Sequence, residues 1–180
     1  MVVSNQSPHA ANDAILWFAV RVKSRFEKCV ASSLRAKGHE VLLPLYGVNP
    51  RESGRAVRNQ VPIFPGYVFC QLDPQNRLPV LTTPGVVLIL GNRRELTTIP
   101  NHEITSLQTI ERSGLPASPH QFLNAGDEVE IRRGPLAGVR GFVVTQPGQS
   151  RIVVSVSLLM RSLSVELDRS WVQPLESAQS

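Results

Sequence analysis

The apolar positions in the first part of the chain alternate between strand and helix patterns. Residues 16–22 (LWFAVRV) are rich in aromatic and β-branched side chains, which predicts a strand. Apolar residues then recur at helical spacing, and we expect this helix to begin at a capping box of Ser24 and Glu27 and to end at Gly38. A second strand is predicted over residues 41–45.

The next segments extend the same alternation. The polar stretch 47–60 carries glycine and proline and predicts a mobile loop or hairpin tip. Residues 67–72 predict a strand that follows the turn-forming Phe64-Pro65-Gly66. The apolar run 86–90 predicts a strand buried on both faces. Asn101 is expected to cap a last helix, with Ile104, Leu107 and Ile110 on its apolar side. Together these elements predict an α+β unit, a ferredoxin-like α/β sandwich.

After residue 124 the pattern changes to short alternating segments. Residues 128–131, 152–158 and 163–167 alternate with period two, and turns containing glycine and proline separate them. Several short strands without a helical pattern predict a small β-barrel. The segment 113–124 has no periodicity and is expected to be a short linker.

These patterns divide the 180 residues into two units. We expect a polar leader over 1–13, a first unit over 14–112, the linker over 113–124, a second unit over 125–176 and a tail over 177–180. No apolar window is long enough to span a membrane, and the first residues do not resemble a secretory signal. Cys29 and Cys70 stand apart from any ligand cluster, so reduced thiols and a cytoplasmic location are expected.

The charge differs between the two units. Residues 1–112 hold 13 Lys and Arg against 8 Asp and Glu, a net charge of +5, whereas residues 113–180 hold 6 of each. A basic first unit suits nucleic acid, an anionic membrane surface or an acidic protein face. The charge by itself does not choose among these partners.

No set of residues in the sequence meets the geometric roles of a catalytic site. His102 and Glu103 begin like the helix of a zinc protease, but position 106 is serine, so the second histidine is missing. Neither a nucleophile elbow nor a phosphate-binding loop occurs. We therefore expect no catalytic activity, no cofactor and no metal.

Several short segments occur together in one known family. They are WFAVRV at 17–22 and FPGYV at 64–68 in the first unit, and GDEV at 126–129 and GPLAG at 134–138 in the second. In this order they resemble NusG-type transcription elongation factors, which carry an N-terminal domain followed by a KOW domain. The resemblance spans about residues 14–175. It implies that the second unit is an SH3-like β-barrel.

The resemblance implies RNA polymerase as the partner. In this family the hydrophobic face around the FPGY strand binds the clamp helices of the large polymerase subunit, and aromatic anchors in apolar grooves are a common mode of recognition. The polymerase contacts carried over are Phe64, Pro65, Gly66, Tyr67, Phe69 and Arg21. Asn76 and Arg77 are implied to face the opposite side of the polymerase cleft. From the pattern alone, ordinary core packing of the aromatic residues is equally compatible.

The basic residues of the first unit are implied to face DNA. In the family this domain lies beside upstream DNA and the non-template strand, where arginines neutralise phosphates without reading sequence. The candidates are Lys23, Arg25, Arg51, Arg55 and Arg58. A solvated face with scattered charge is the alternative.

The second unit departs from housekeeping members, which have an aromatic residue and a glycine where this chain has Leu158, Leu159 and Met160. In the family this surface binds a small-subunit ribosomal protein or the termination factor Rho, and with Arg161 these residues form the candidate partner surface. The ending resembles specialised paralogues that serve particular operons.

The resemblance therefore implies a monomeric, operon-specific antiterminator that promotes processive elongation. One alternative is a general housekeeping NusG. The other is an RNA-binding or ribosome-associated protein that uses its KOW barrel, although dedicated RNA-binding units are usually basic and this second unit is neutral.

Overall fold

The computed structural model describes residues 16–48, 59–92, 95–122, 128–146, 149–168 and 171–174. These residues form a five-stranded sheet in the first unit, a six-stranded sheet in the second, a two-stranded hairpin and three α-helices. The fold is α+β, which confirms the predicted class. No helix in these ranges is long and apolar enough to cross a membrane.

The elements follow one another in three groups. The strands of the first unit are β1 (Trp17–Val22), β2 (Val41–Leu42), β3 (Leu45–Val48), β4 (Asn59–Pro62), β5 (Tyr67–Gln71), β6 (Val86–Ile89) and β7 (Thr98–Ile99). The helices are α1 (Glu27–Ala36), α2 (Leu78–Leu81) and α3 (Asn101–Ser113). The remaining strands are β8 (Ala117–His120), β9 (Glu128–Ile131), β10 (Arg140–Gln146), β11 (Gln149–Val156), β12 (Arg161–Leu167) and β13 (Val172–Pro174).

The first sheet is antiparallel, with the order β2-β5-β1-β6, and β7 also pairs with β1. In the central pair, Ala19 lies opposite Phe69 and Val20 lies opposite Val68. Successive side chains of a strand point to opposite faces, so Ala19 and Phe69 share one face while Val20 and Val68 share the other. All four residues are fully buried, which shows that both faces of the sheet are covered.

Helix α1 covers the face that carries Val20. Its buried Val30, Ala31 and Leu34 belong to the same apolar cluster as Val20 and Val68. The helix begins at Glu27 without a side-chain cap, so the predicted capping box is wrong. The Glu27 carboxylate instead accepts a hydrogen bond from the N–H of Gly66 at 2.8 Å, a tertiary contact that replaces the local one.

Helix α3 and the second sheet cover the opposite face. Ile104, Leu107 and Ile110 are the buried apolar residues of α3, as predicted. They form one cluster with Ala19 and Phe69 of the first sheet and with residues of the second sheet, among them Val154, Val156, Leu163 and Val165. The apolar core is therefore continuous between the two units on this side.

The second sheet is also antiparallel, with the order β13-β9-β10-β11-β12-β8. The pairing requires a glycine at position 141, because a Cβ there would collide with the carbonyl oxygen of Val153. Among the described residues the strand order ends at β13 and β8 and does not close into a ring. The barrel therefore stays a prediction.

Four further expectations differ from the structure. Asn101, expected to cap α3, is instead the first residue of that helix, and Pro100 occupies the N-cap position. The predicted strand 41–45 is divided into β2 and β3, and Pro44, which has no N–H to donate, lies between them. The prediction that 86–90 is buried on both faces is wrong, because β6 is the last strand of its sheet and Val87 is 51% exposed. The segment 113–124, expected to be a linker, contains the last residue of α3 and strand β8.

Candidate functional site

The candidate site begins at the turn that precedes β5. Gly66 has φ +83°, a left-handed conformation that other residues rarely adopt. Its carbonyl accepts from the N–H of Val22 at 2.9 Å, and the N–H of Tyr67 donates to the carbonyl of Phe64 at 3.1 Å. With the Glu27 contact, these bonds hold the turn against the end of β1 and set the direction of the aromatic side chains that flank it.

The two phenylalanines of the site are buried. The rings of Phe64 and Phe69 meet edge to face with centroids 5.4 Å apart, and the side chains are 1% and 0% exposed. Of the two interpretations that the sequence pattern left open for these aromatic residues, core packing describes Phe64 in this conformation. The reason is tertiary, because both rings belong to the cluster shared with α3 and the second sheet.

A row of three less buried residues, Tyr67, Arg21 and Leu88, lies on the same face of the first sheet, at the end of β1. Arg21 lies opposite Tyr67 on one side and opposite Leu88 on the other. Arg21 and Leu88 are exposed, and Tyr67 is half-buried. Because residues 86–90 were predicted to be buried on both faces, Leu88 was not recognised as a surface residue. The strand register places it beside Arg21 and Tyr67.

Arg161 of the second unit contacts this row and the turn beside it. Its Nη1 donates to the carbonyl of Pro65 at 3.0 Å, and its guanidinium carbon lies 5.6 Å from the centre of the Tyr67 ring. That distance is within the range of cation–π attraction. A residue predicted for the partner surface of the second unit therefore contacts the predicted polymerase surface of the first.

The neighbouring partner candidates also lie at this junction. Leu158 and Leu159 are half-buried and pack against the shared cluster, in a 3-10 turn that ends at Met160. Met160 has φ +50° and is 64% exposed. The two surfaces predicted to bind separate partners thus cover one another in part.

Helix α3 joins the two units through polar contacts that sequence reasoning did not find. The Glu103 carboxylate is 6% exposed and accepts from the N–H of Ser157, 3.3 Å from each oxygen. The Ser106 hydroxyl accepts from the N–H of Arg140 at 3.1 Å. Ser106 follows Glu103 by three positions, about one turn of the helix, but the sequence does not indicate what faces that turn.

The candidate basic residues lie in different places. Lys23 and Arg25 are exposed in the turn between β1 and α1, and Arg25 has φ +68°. Arg51, Arg55 and Arg58 lie outside the described residues, between β3 and β4 of the hairpin. The structure therefore brings Lys23 and Arg25 to the same end of β1 as Arg21.

Asn76 and Arg77 lie at the opposite end of β5 from Tyr67. Both are exposed. Asn76 is the last residue of a short 3-10 turn, Arg77 follows it, and the Asp73 side chain caps the turn by accepting a 2.8 Å bond from the N–H of Gln75. A five-residue strand spans about 15 Å, so the two sets of predicted partner contacts are separated by about the length of β5.

A cavity of about 520 Å³ lies where the hairpin, the end of α3 and strands β8 and β12 meet. Tyr46, Ile63, Ile110, Glu111 and Leu163 are among its lining residues. Burial raises the pKa of Glu111, while Arg35 and Arg112 act in the opposite direction. Among the described residues, no group of three or more His, Cys, Asp or Glu could hold a metal ion.

Comparison with known proteins decides the family. The family model described as "Transcription termination factor nusG" matches residues 16–108, more than half of the chain. The chain belongs to the NusG family. The match includes the turn before β5, the row across the sheet and most of α3.

Full-length relatives extend the similarity beyond the first unit. The transcription termination/antitermination protein NusG of Vibrio parahaemolyticus is 30% identical over 174 residues, covering 89% of this chain and 96% of the relative. NusG of Escherichia coli strain K12 is 31% identical over 172 residues, covering 87% and 94%.

The fold agrees with a solved structure that shows domain interaction in Thermotoga maritima NusG. Its TM-score is 0.54, with 20% identity over 89% of this chain and 97% of that chain. At that identity the similarity supports the NusG fold alone.

Proposed function

We propose that this NusG family member is a transcription termination/antitermination factor that binds elongating RNA polymerase and promotes processive elongation without catalysis. Its relatives of at least 30% identity are transcription termination/antitermination proteins. The partner element is the pair of clamp helices of the large subunit, and the binding face is the one that carries Phe64, Tyr67 and Phe69.

One observation carries this proposal. A large apolar face of the first sheet, which includes Trp17, Ala19, Phe64 and Phe69, packs against a second unit. A sheet face of this kind binds an amphipathic helix well when the second unit is elsewhere. Two helices of a clamp would replace the apolar contacts that the second unit now makes.

Binding then requires the second unit to move. Phe64 and Phe69 are buried in this conformation, so the polymerase face is available only in molecules whose units have separated. The apparent dissociation constant equals the intrinsic constant divided by the fraction of open molecules. Contacts between the units, such as the bond from Arg161 to Pro65, therefore weaken polymerase binding.

The other partners belong to the same proposal. Lys23, Arg25 and the arginines of residues 51–58 face upstream or non-template DNA, and Asn76 with Arg77 contacts the far side of the polymerase cleft. Opening also exposes Leu158 and Leu159 for a small-subunit ribosomal protein or Rho. The Leu158–Met160 sequence supports an operon-specific paralogue over a housekeeping factor.

Ion pairs in the second unit disfavour the RNA-binding alternative. Arg132 and Arg140 both lie 3.1 Å from Glu130, and Arg151 lies 3.6 Å from Glu166. Pairing with carboxylates leaves these arginines less able to neutralise phosphates. No basic patch of the kind that dedicated RNA-binding domains carry is formed by these residues.

The test uses two leucines of nearly equal exposure. Leu88, 37% exposed, lies in the Tyr67 row, and Leu81, 38% exposed, lies on α2. Leu88→Ser should weaken binding of the full chain to core polymerase by about tenfold, a cost of about 1–2 kcal/mol for a contact residue, whereas Leu81→Ser should not. Equal affinities of the two variants would contradict the proposed face.

A further inference from the structure

The segment between the two units contains a strand that belongs to the second sheet. Residues Ala117–His120 form β8, which pairs antiparallel with β12, so that Ser118 lies opposite Ser164 and Pro119 opposite Leu163. The hydroxyls of Ser118 and Ser164 lie 3.3 Å apart. The chain therefore pairs with the second sheet only a few residues after it leaves α3.

This pairing changes the length of the connection. With β8 paired, residues 114–116 alone join the end of α3 to the second sheet, a reach of at most about 14 Å. With β8 released, the connection becomes residues 114–127, up to the start of β9, and its maximum reach is about 50 Å. One short strand therefore decides how far the units can separate.

Strand β8 also lies against the first unit. It contacts β3 of the hairpin, and Ala117 lines the cavity together with Tyr46 and Leu163. The last turn of α3 is held to the first unit as well, since Ile110 lies in the same apolar cluster as Ala19 and Phe69 of the first sheet. Both ends of the three-residue connection are thus anchored, one in each unit.

We propose that β8 is a latch: while paired with β12 it shortens the tether between the units and keeps the polymerase face covered. The effective concentration of one tethered unit at the other falls roughly as the −3/2 power of tether length. Release from three to fourteen residues lowers that concentration on the order of tenfold. The latch concerns the units of this chain and does not depend on polymerase being the partner.

The strand is suited to reversible pairing. It has four residues and lies at the end of the strand order, so among the described strands it pairs with β12 alone. Pro119 has no N–H to contribute to a ladder, and proline in sheets is confined to edges and strand starts. Such a strand can leave β12 while the pairing of β12 with β11 is kept.

Two matched insertions test the latch. The same six-residue Gly-Ser segment is placed either between Leu115 and Pro116, before β8, or between Phe122 and Leu123, after it. Only the first insertion lengthens the tether of a latched molecule, from three residues to nine. It should raise the ratio of open to closed molecules about fivefold, and the second insertion should leave that ratio unchanged.

The readout is the distance between the units in the full-length protein. Cys29 on α1 is exposed and takes a nitroxide label, whereas Cys70 is buried with its pKa raised to about 12 by burial and does not react. Arg133→Cys supplies the second site, on an exposed residue of the second unit. Double electron–electron resonance then gives the open and closed populations, in an Arg161→Ala background that makes the open population measurable.

The two possible results are distinct. A tether that is not latched spans residues 114–127, so both insertions would raise the ratio equally and by less than twofold, and that result overturns the proposal.

A further pair of variants gives an independent check. Ser118→Pro, which removes an N–H from β8, should raise the ratio on the order of tenfold, while Gln121→Pro, just beyond the strand, should not; equal ratios for these two would also overturn the latch.

Discussion

The two faces of the first sheet are covered in different ways, although they come from the same strands. Val20 and Val68 point to a helix that follows β1 after only a few residues. Ala19 and Phe69, one position away in each strand, point to α3 and to strands of the second unit, the first of which, β9, begins only at Glu128. Both faces are equally buried, but the first is covered from within its own unit, whereas the second is covered by α3 together with strands of another unit.

This difference distinguishes a face that stabilises the fold from a face that can become accessible to a partner. A cover formed by α1 is removed only when the unit unfolds, since the helix and strand are neighbours in the chain. The cover formed by the second unit can be removed by a rigid movement that breaks a few polar contacts, those of Glu103, Ser106 and Arg161, and exposes apolar surface. We infer that the first face maintains the fold and the second binds a partner.

The largest effect is expected on the locally covered face. Leu34→Ala removes a fully buried side chain of α1 and should lower the free energy of unfolding by about 2–5 kcal/mol. Denaturant titration measures that decrease, and the label distances between Cys29 and Arg133→Cys report opening. An increase in opening with no decrease in the free energy of unfolding would contradict the distinction between the faces.

A smaller effect is expected at the cover between the units. Arg161→Ala removes the bond to Pro65 and the cation–π contact with Tyr67, together about 1–3 kcal/mol, and should raise the open-to-closed ratio by about 5-fold to about 160-fold. Arg132→Ala is the control, since Arg132 pairs with Glu130 inside the second unit. If the two variants open equally, Arg161 does not hold the cover in place.

The smallest effect is expected from the arginines of residues 51–58. Replacing Arg51, Arg55 and Arg58 with serine should flatten the salt dependence of binding to a polymerase–nucleic acid scaffold, by about 0.9 in logarithmic slope for each phosphate that is no longer neutralised. The wild-type and variant slopes are measured between low and moderate salt, with thermal unfolding as the control for folding. An unchanged slope would assign these arginines to a solvated face.

Much of the fold was predictable because its signals are local. The helical spacing of Ile104, Leu107 and Ile110 predicted the buried side of α3, and the period-two segments predicted the strands of the second unit. The Phe-Pro-Gly turn was recognised from residue type, and the left-handed φ of Gly66 explains why glycine occupies it. These features depend on residues within one element or one turn.

The failures have a common physical cause. A capping box at Ser24 was reasonable locally, but the Glu27 carboxylate gains a better partner in the N–H of Gly66, 39 positions away in the sequence. Leu88 was predicted to be buried because an apolar run does not show whether its strand lies at the edge of a sheet. In each case the deciding group is distant in the sequence and unknown until the chain is folded.

The sequence by itself determined the α+β class, the family and which residues are apolar on each face of the first sheet, because periodicity and short segments are properties of neighbouring residues. Only the tertiary structure decided what covers each face. Two contacts illustrate this: Ser118 pairs with Ser164, and Arg161 contacts Pro65 across 96 positions. The local sequence pattern around each of these residues does not indicate its partner. Those long-range contacts, which the free energy of the whole chain selects, decide whether the candidate binding face is covered or open.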